Sequence, residues 1–130
     1  MAERPLSPHI TVYRWAYTMT LSILHRISGV ALALALLGLI AWLVSASLGA
    51  DAYAVILPLL TGIAGKLLVA LAVSALIFHF CNGLRHLAWD LGWGYERADA
   101  RRSAVLVLAV TLIGAALCLY FIFRPGAGAA

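Results

Sequence analysis

Three long apolar segments separated by short polar stretches dominate the chain. They cover about residues 21–48, 59–90 and 103–124, and each exceeds the roughly 20 residues that a helix needs to cross about 30 Å of hydrocarbon. The apolar runs are continuous rather than alternating, which favours helices over the strands of a barrel. The pattern therefore predicts an all-α membrane protein with three transmembrane helices in one domain.

Both ends of the chain are predicted to lie outside the transmembrane helices. Pro5 and Pro8 disfavour helix, so residues 1–20 are expected to form a short cytoplasmic arm. The apolar run that follows is too long for a removable signal peptide. Residues 125–130 are expected to be a frayed tail.

Proline and glycine also mark the predicted connections. The first connection covers about residues 49–58, and Pro58 is expected to open the second helix because a missing N–H costs little there. Gly92 and Gly94 are expected to end that helix after Asp90. The polar segment that follows, up to the third span, is expected to be a short turn.

The distribution of charge predicts how the chain is oriented in the membrane. The sequence is 65% hydrophobic and 11% charged, with a formal net charge of +4. Positive residues lie before the first span and around the second connection, whereas the first connection has neither lysine nor arginine. The positive-inside rule then predicts a cytoplasmic N-terminus and a C-terminus outside, and this distribution does not indicate nucleic-acid binding. The arginines concerned are Arg4, Arg14, Arg26, Arg85, Arg97, Arg101 and Arg102.

The two cysteines, Cys81 and Cys118, fall inside predicted spans and indicate no disulfide framework. Small packing residues are the favoured interpretation. The sequence contains no C-x-x-C-H motif, so any haem would be held without a thioether bond.

Polar residues form a stripe on each of the first two predicted helices. At about 100° per residue, the members of each stripe share one helical face, and Arg85 points away from the second stripe. Because the two helices run in opposite directions, both stripes are expected in the cytoplasmic half of the bilayer. The first stripe contains Ser22, His25, Arg26 and Gly29, and the second contains His79, Asn82, Gly83, His86 and Asp90.

Each stripe has a structural and a functional interpretation. Arg26 is either an interfacial anchor that extends to the headgroups or part of a site. His79 is deeper, and its imidazole either bonds a neighbouring helix or ligates a metal or haem iron. Gly83 modestly favours haem, because a flat macrocycle or a helix can approach it. His25 is expected at a shallower level than His79, so a second axial ligand must come from another chain.

Three motifs, in this order and spacing, resemble a known family. They are RPLSPHITVYR at residues 4–14, SILHRISG at 22–29 and HFCNGLRHLAWDLG at 79–92. Together with the three-helix frame, they resemble the cytochrome b556 membrane-anchor subunit of succinate dehydrogenase, respiratory complex II. The resemblance covers nearly the whole chain.

The resemblance implies roles for five side chains. His79 would be an axial ligand of a non-covalent haem b, opposite a histidine of the small anchor subunit. Ser22 and Arg26 match positions of the ubiquinone site, where they would bond a quinone oxygen and stabilise its negative charge. Arg26 also lies where the haem propionates are expected, as do His25 and His86.

The resemblance also implies partners and a location. The chain would be a non-succinate-binding subunit of succinate:ubiquinone oxidoreductase, associated with the small anchor, iron–sulphur and flavoprotein subunits in a lipid membrane. The absence of an Arg- and Ser-rich presequence favours a multi-pass protein of the bacterial inner membrane, with a periplasmic C-terminus, over one of the mitochondrial inner membrane.

Other functions remain open at this point. A proton or ion channel would use His79 as a relay and predicts an acidic partner within the membrane, yet the acidic residues fall in loops or at helix ends. A cofactor-free anchor would use the histidines only for packing. Asp90 has two equal interpretations, as a helix-end salt bridge or as a group that delivers protons or orients Arg26.

Overall fold

The computed structural model describes residues 15–124, which form four α-helices and no strand. The chain is an all-α membrane protein, as the apolar pattern predicts. Residues 1–14, which hold the first motif and most of the expected arm, lie outside the described residues, as do residues 125–130. The helices are α1 (Tyr17–Ser47), α2 (Ala50–Thr61), α3 (Ile63–Asp90) and α4 (Arg97–Phe123).

Three of these helices are long and apolar enough to cross a membrane. α1, α3 and α4 have 31, 28 and 27 residues, which at 1.5 Å per residue corresponds to about 40 Å or more each. Their leucine, isoleucine and valine side chains are largely exposed, and Leu34 retains 65% of its accessible surface. Lipid or partner helices must therefore cover most of the apolar surface.

The first connection differs from the prediction. It is mostly helical: α2 fills it, and Pro58 lies near the end of α2 instead of opening the second span. The break comes at Gly62, whose extended backbone precedes the start of α3 at Ile63. A β-carbon at Gly65 would overlap the carbonyl oxygen of Leu59, so a glycine there allows the two helices to meet closely.

The second connection confirms one expectation and corrects another. Gly92 and Gly94 have φ angles of 85° and 76°, which favour glycine, and they end α3 after Asp90 as expected. The third span begins earlier than expected, at Arg97 instead of about residue 103. The carbonyl of Glu96 accepts the first bond of α4, from the N–H of Ala100 (2.9 Å), so part of the polar segment is already helical.

α3 lies between α1 and α4, and α2 contacts both α1 and α3. The buried apolar cluster is small, and Cys81 packs against it, in keeping with a packing role. The cluster consists of Leu21, Phe78, Ala104 and Val107. With so little apolar burial, the buried polar contacts between helices become important for the packing.

Arg85 provides the main polar connection between α3 and α4. Its side chain is directed away from the histidines, as the helical arc predicts, and only 5% of the residue is exposed. Its guanidinium donates to the hydroxyl of Ser103 (3.0 Å) and to the carbonyl of Ala100 (3.1 Å). It also lies 4.0 Å from the ring centroid of Trp89, a cation–π distance.

Asn82 extends this network towards α1. It is fully buried, and its Oδ1 accepts a bond from Arg85 (3.4 Å) while its Nδ2 donates to the carbonyl of Leu21 (3.4 Å). Arg85 and Asn82 thus link all three long helices beside the buried cluster.

Replacing Arg85 with lysine should show whether stability depends on the positive charge alone or on the geometry of the guanidinium. A lysine keeps the positive charge but lacks the planar fork that reaches Ser103 and Ala100 together. We expect the free energy of unfolding in mixed micelles to fall by about 1–3 kcal/mol, the value of one or two hydrogen bonds.

Arg102→Lys is the matched control, because Arg102 is 82% exposed and pairs with Asp99 at the surface. Its change should stay within about 1 kcal/mol. Equal losses in the two variants would contradict a linking role for Arg85.

Candidate functional site

α1 and α3 bring three histidines into contact. The rings of His25 and His79 stack with centroids 3.9 Å apart and planes inclined by 12°. His86, two turns further along α3, has its ring centroid 5.2 Å from that of His25. The two polar stripes therefore meet, as the antiparallel helices predict. The expectation that His25 lies at a shallower level than His79 is wrong, because the two rings face each other directly.

Hydrogen bonds fix which nitrogen of His79 carries the proton. Nδ1 lies 3.1 Å from the carbonyl oxygen of His25 and 3.0 Å from Oγ of Ser28. A carbonyl can only accept, so Nδ1 must be the donor. The Ser28 hydroxyl itself donates to the same carbonyl (2.7 Å), which leaves its oxygen free to accept from His79. In the neutral imidazole the other nitrogen, Nε2, then carries a lone pair suited to a metal.

His25 has a buried nitrogen whose hydrogen-bonding capacity is not met by the described residues. Its Nδ1 is inaccessible and has no hydrogen-bond partner within residues 15–124. An imidazole nitrogen in this condition carries a desolvation cost of about 1–3 kcal/mol. A polar group from outside the described residues would stabilise it.

The environment of His86 is set by Asn82. Because Arg85 donates to Oδ1 of Asn82, the amide presents its NH₂ group to Nε2 of His86 at 3.3 Å. Nε2 is therefore an acceptor, and Nδ1 of a neutral His86 carries the proton. The rings of His86 and Trp89 also pack in a T-shaped arrangement, with centroids 5.3 Å apart. His86 can thus offer one N–H donor near the other two histidines.

Two glycines allow the helices to approach at the histidines. A β-carbon at Gly29 would lie 3.1 Å from Cε1 of His79, tighter than ordinary contact. A β-carbon at Gly83 would lie 3.6 Å from Cε1 of His25, which is ordinary contact. A side chain at position 29 would therefore displace the ring of His79 by a few tenths of an ångström, whereas one at position 83 would leave His25 in place.

Ser22 and Arg26 are not drawn into the histidine cluster. Ser22 is half-buried and Arg26 is exposed, and within the described residues neither makes a side-chain hydrogen bond or ion pair. Asp90 is also exposed and, in the same part of the chain, pairs with no arginine. In the described residues the ion pair is Arg102 with Asp99. On the polar face of α1, His25 thus contacts another histidine, whereas Ser22 and Arg26 make no side-chain polar contact within residues 15–124.

Sequence reasoning missed the second bond of His79. Ser28 lies on α1 three residues after His25, within the SILHRISG motif, and is buried. Its spacing from His25 is typical of a serine that bonds back to its own helix, and this was the available signal. Helical periodicity places Asn82 on the second stripe and Arg85 away from it, but it does not predict their linked contacts with His86 and α4.

The family profile described as Succinate dehydrogenase/Fumarate reductase transmembrane subunit matches residues 1–118. The chain belongs to this family. The resemblance seen in the three motifs is therefore confirmed. The family consists of membrane subunits of a respiratory enzyme.

Individual members of the family give the same result. The chain is 40% identical over 119 residues to the mitochondrial succinate dehydrogenase cytochrome b560 subunit of Sus scrofa, covering 86% of this chain and 68% of the relative. It is 39% identical over 118 residues to that of Homo sapiens, with the same coverage. The cytochrome b556 subunit of Rickettsia conorii is 39% identical over 94 residues, covering 72% of this chain and 73% of the relative.

The two glycines of this family member provide a matched test of the histidine packing. We expect Gly29→Ala to lower the free energy of unfolding by about 1–3 kcal/mol relative to Gly83→Ala, because only the first forces His79 to move. The helix-propensity gain of alanine over glycine is common to both variants and cancels. Denaturant titration in detergent micelles measures the difference, and equal stabilities would show that Gly29 is not needed for the stack.

Proposed function

We propose that this chain is the cytochrome b anchor subunit of succinate:ubiquinone oxidoreductase. In this role it binds haem b together with a second, small anchor subunit and contributes to the ubiquinone reduction site. It attaches the iron–sulphur and flavoprotein subunits to the membrane and does not bind succinate itself. Family membership supports the general role, and the oriented Nε2 of His79 is the observation that carries the haem assignment.

His79 fits an axial ligand of haem iron. Metal-ligating histidines almost always donate their other ring N–H to a carbonyl, carboxylate or water, which orients the ring and raises its basicity. His79 does this through Nδ1, to the carbonyl of His25 and to Ser28. Within the described residues Nε2 makes no hydrogen bond, so its lone pair is available. A bound haem would add a one-electron store to this part of the chain.

We infer that the second axial ligand comes from a partner. His79 would hold the iron through Nε2, and the ring of His25 lies flat against the face of His79 with no space for a metal between them. His25 in this position cannot be the opposing ligand. A histidine of the small anchor subunit meets the requirement, and it agrees with the large exposed apolar surface of this chain.

The other polar groups of the cluster suit the haem propionates. His25 has a buried Nδ1 without a partner in residues 15–124, and His86 has an N–H donor fixed by Asn82. Arg26, next to His25, adds a positive charge. Charge-assisted bonds from such groups would hold the two carboxylates at the edge of the site.

Ser22 and Arg26 suit the quinone. A hydroxyl can donate to a quinone oxygen, and a guanidinium stabilises the negative charge that develops there on reduction. Both side chains are accessible and make no competing polar contact in the described part of the chain. Their openness supports a pocket completed by other subunits.

Charge supports an orientation with the 91–96 connection on the cytoplasmic side. This end of the bundle carries Arg97, Arg101 and Arg102, whereas α2 at the opposite end has no lysine or arginine. By the positive-inside rule, this charge distribution supports a C-terminus in the periplasm of a bacterial inner membrane. The mitochondrial inner membrane, with the matrix in place of the cytoplasm, is the alternative.

Spectroscopy of two variants tests the haem assignment against a cofactor-free anchor. In the purified complex we expect His79→Leu to remove or strongly weaken the reduced b-type absorption band. Ser28→Ala should keep the band, because His79 retains the carbonyl of His25, but the ligand loses part of its electron donation.

The midpoint potential should therefore rise in Ser28→Ala, by up to about the 59 mV that corresponds to a tenfold change for a one-electron couple. A full band in His79→Leu would sink the ligand assignment. A complex without any such band in the parent protein would favour the purely structural anchor.

Arg26→Leu tests the quinone site. We expect succinate-to-quinone electron transfer to fall on the order of 10²-fold, the typical effect of losing one donor to a developing oxyanion. Reduction of an artificial dye by the soluble subunits should be unchanged, since the dye bypasses the membrane site. Arg102→Leu, at an exposed position away from the histidines, is the control. Equal loss of both activities in Arg26→Leu would point to misassembly.

A further inference from the structure

A two-part groove between the starts of α1 and α4 is not used by the proposed function. Its first part is a cavity of about 550 Å³ beside the 91–96 connection, and its second part, of about 540 Å³, continues along α1 and α4 into the apolar region. Tyr17 and Arg101 line both parts. Each volume is within the usual range for small-molecule sites, about 300–1,000 Å³.

Two arginines give the first part a positive charge. Arg97, Arg101 and the ring of Tyr95 line it with Tyr17, whose hydroxyl donates to the carbonyl of Arg97 at 3.5 Å and so joins the two helix starts. Within the described residues neither arginine pairs with an acid.

Within residues 15–124, the neighbouring acids leave the charges of Arg97 and Arg101 uncompensated. Asp99 is engaged with Arg102 on the outer side of α4, and Glu96 is exposed and pairs with no cation in residues 15–124. An anion is therefore the ligand that the first part favours.

The second part is almost entirely apolar. Apart from Tyr17, Thr20 and Arg101, it is lined by side chains of the two helices that carry no polar group. These are Leu21, Leu24, Ala104, Val105 and Leu108. The groove thus changes from cationic to apolar over a single opening, where the membrane–water boundary is expected.

We propose that this groove binds one anionic glycerophospholipid. Its phosphate lies between Arg97 and Arg101, with the tyrosine hydroxyls near the glycerol, and one acyl chain follows the apolar part between α1 and α4. A free phosphate would use only the first part, and an acidic side chain of a protein partner would leave the apolar part empty. A lipid is the ligand whose chemistry matches both.

Lipid retention by the intact purified complex tests the proposal. Native mass spectrometry after titration with phosphatidylglycerol in detergent gives the affinity of the tightest site. Each arginine lost near an anionic lipid should weaken binding roughly fivefold, so Arg97→Gln with Arg101→Gln should weaken it about 25-fold. Phosphatidylcholine should bind the parent complex more weakly than phosphatidylglycerol does.

Two further variants make the result specific. Arg102→Gln removes the same charge from the same helix, but from the side paired with Asp99, and should leave retention unchanged. Val105→Trp, at a residue that is 60% exposed, fills the apolar part while keeping both arginines. It should also weaken the binding of phosphatidylglycerol.

Three outcomes would overturn the proposal. If Val105→Trp has no effect and inorganic phosphate displaces the lipid, the groove holds only a phosphate. If the double variant retains lipid but loses the soluble subunits, the arginines bind protein. If Arg102→Gln binds phosphatidylglycerol as weakly as the double variant does, the loss of affinity comes from the change in net charge. Loss of lipid in the double variant and in Val105→Trp, with the subunits retained, supports it.

Discussion

The hydrogen bond from Nδ1 of His79 to the carbonyl of His25 is the interaction on which the site depends. Between helices in lipid there is no hydrophobic driving force of the kind found in water, so close packing and polar bonds determine how helices associate. This bond sets the distance between α1 and α3 and the orientation of the ring. Gly29 makes the approach possible, and Ser28 adds the second acceptor. The same contact that positions the helices therefore also leaves Nε2 available as a ligand.

A second chain of contacts supports the first from the opposite side of α3. Arg85 is held by α4 and orients Asn82, and Asn82 in turn bonds both α1 and His86. Each group in this chain has a partner, which is the condition under which buried polar networks give rigidity instead of cost. On α3, the histidines therefore face α1 and Arg85 faces α4. Asn82 lies between them and bonds both His86 and Arg85.

The sequence was sufficient for the spans and the facing polar stripes, because long apolar runs and helical periodicity are strong signals in a membrane protein. It fails at the first connection, where it predicts that Pro58 opens a helix, although α2 continues through Pro58 to the break at Gly62. It also could not give the level at which His25 meets His79, or the role of Ser28. These depend on the relative position of two helices, which the period of one helix does not contain.

The open positions of Ser22 and Arg26 have an energetic consequence. An arginine within the apolar region costs on the order of 2.5–3.5 kcal/mol on insertion scales, less where it can reach the headgroups. Arg26 meets no acid or acceptor among the described residues, so no side chain or backbone group in that part of the chain offsets the cost. A partner surface that supplies polar groups would offset it and would enclose the same side chains as a pocket. Completion of the proposed quinone site and the proposed association of the subunits would then be favoured by the same charge.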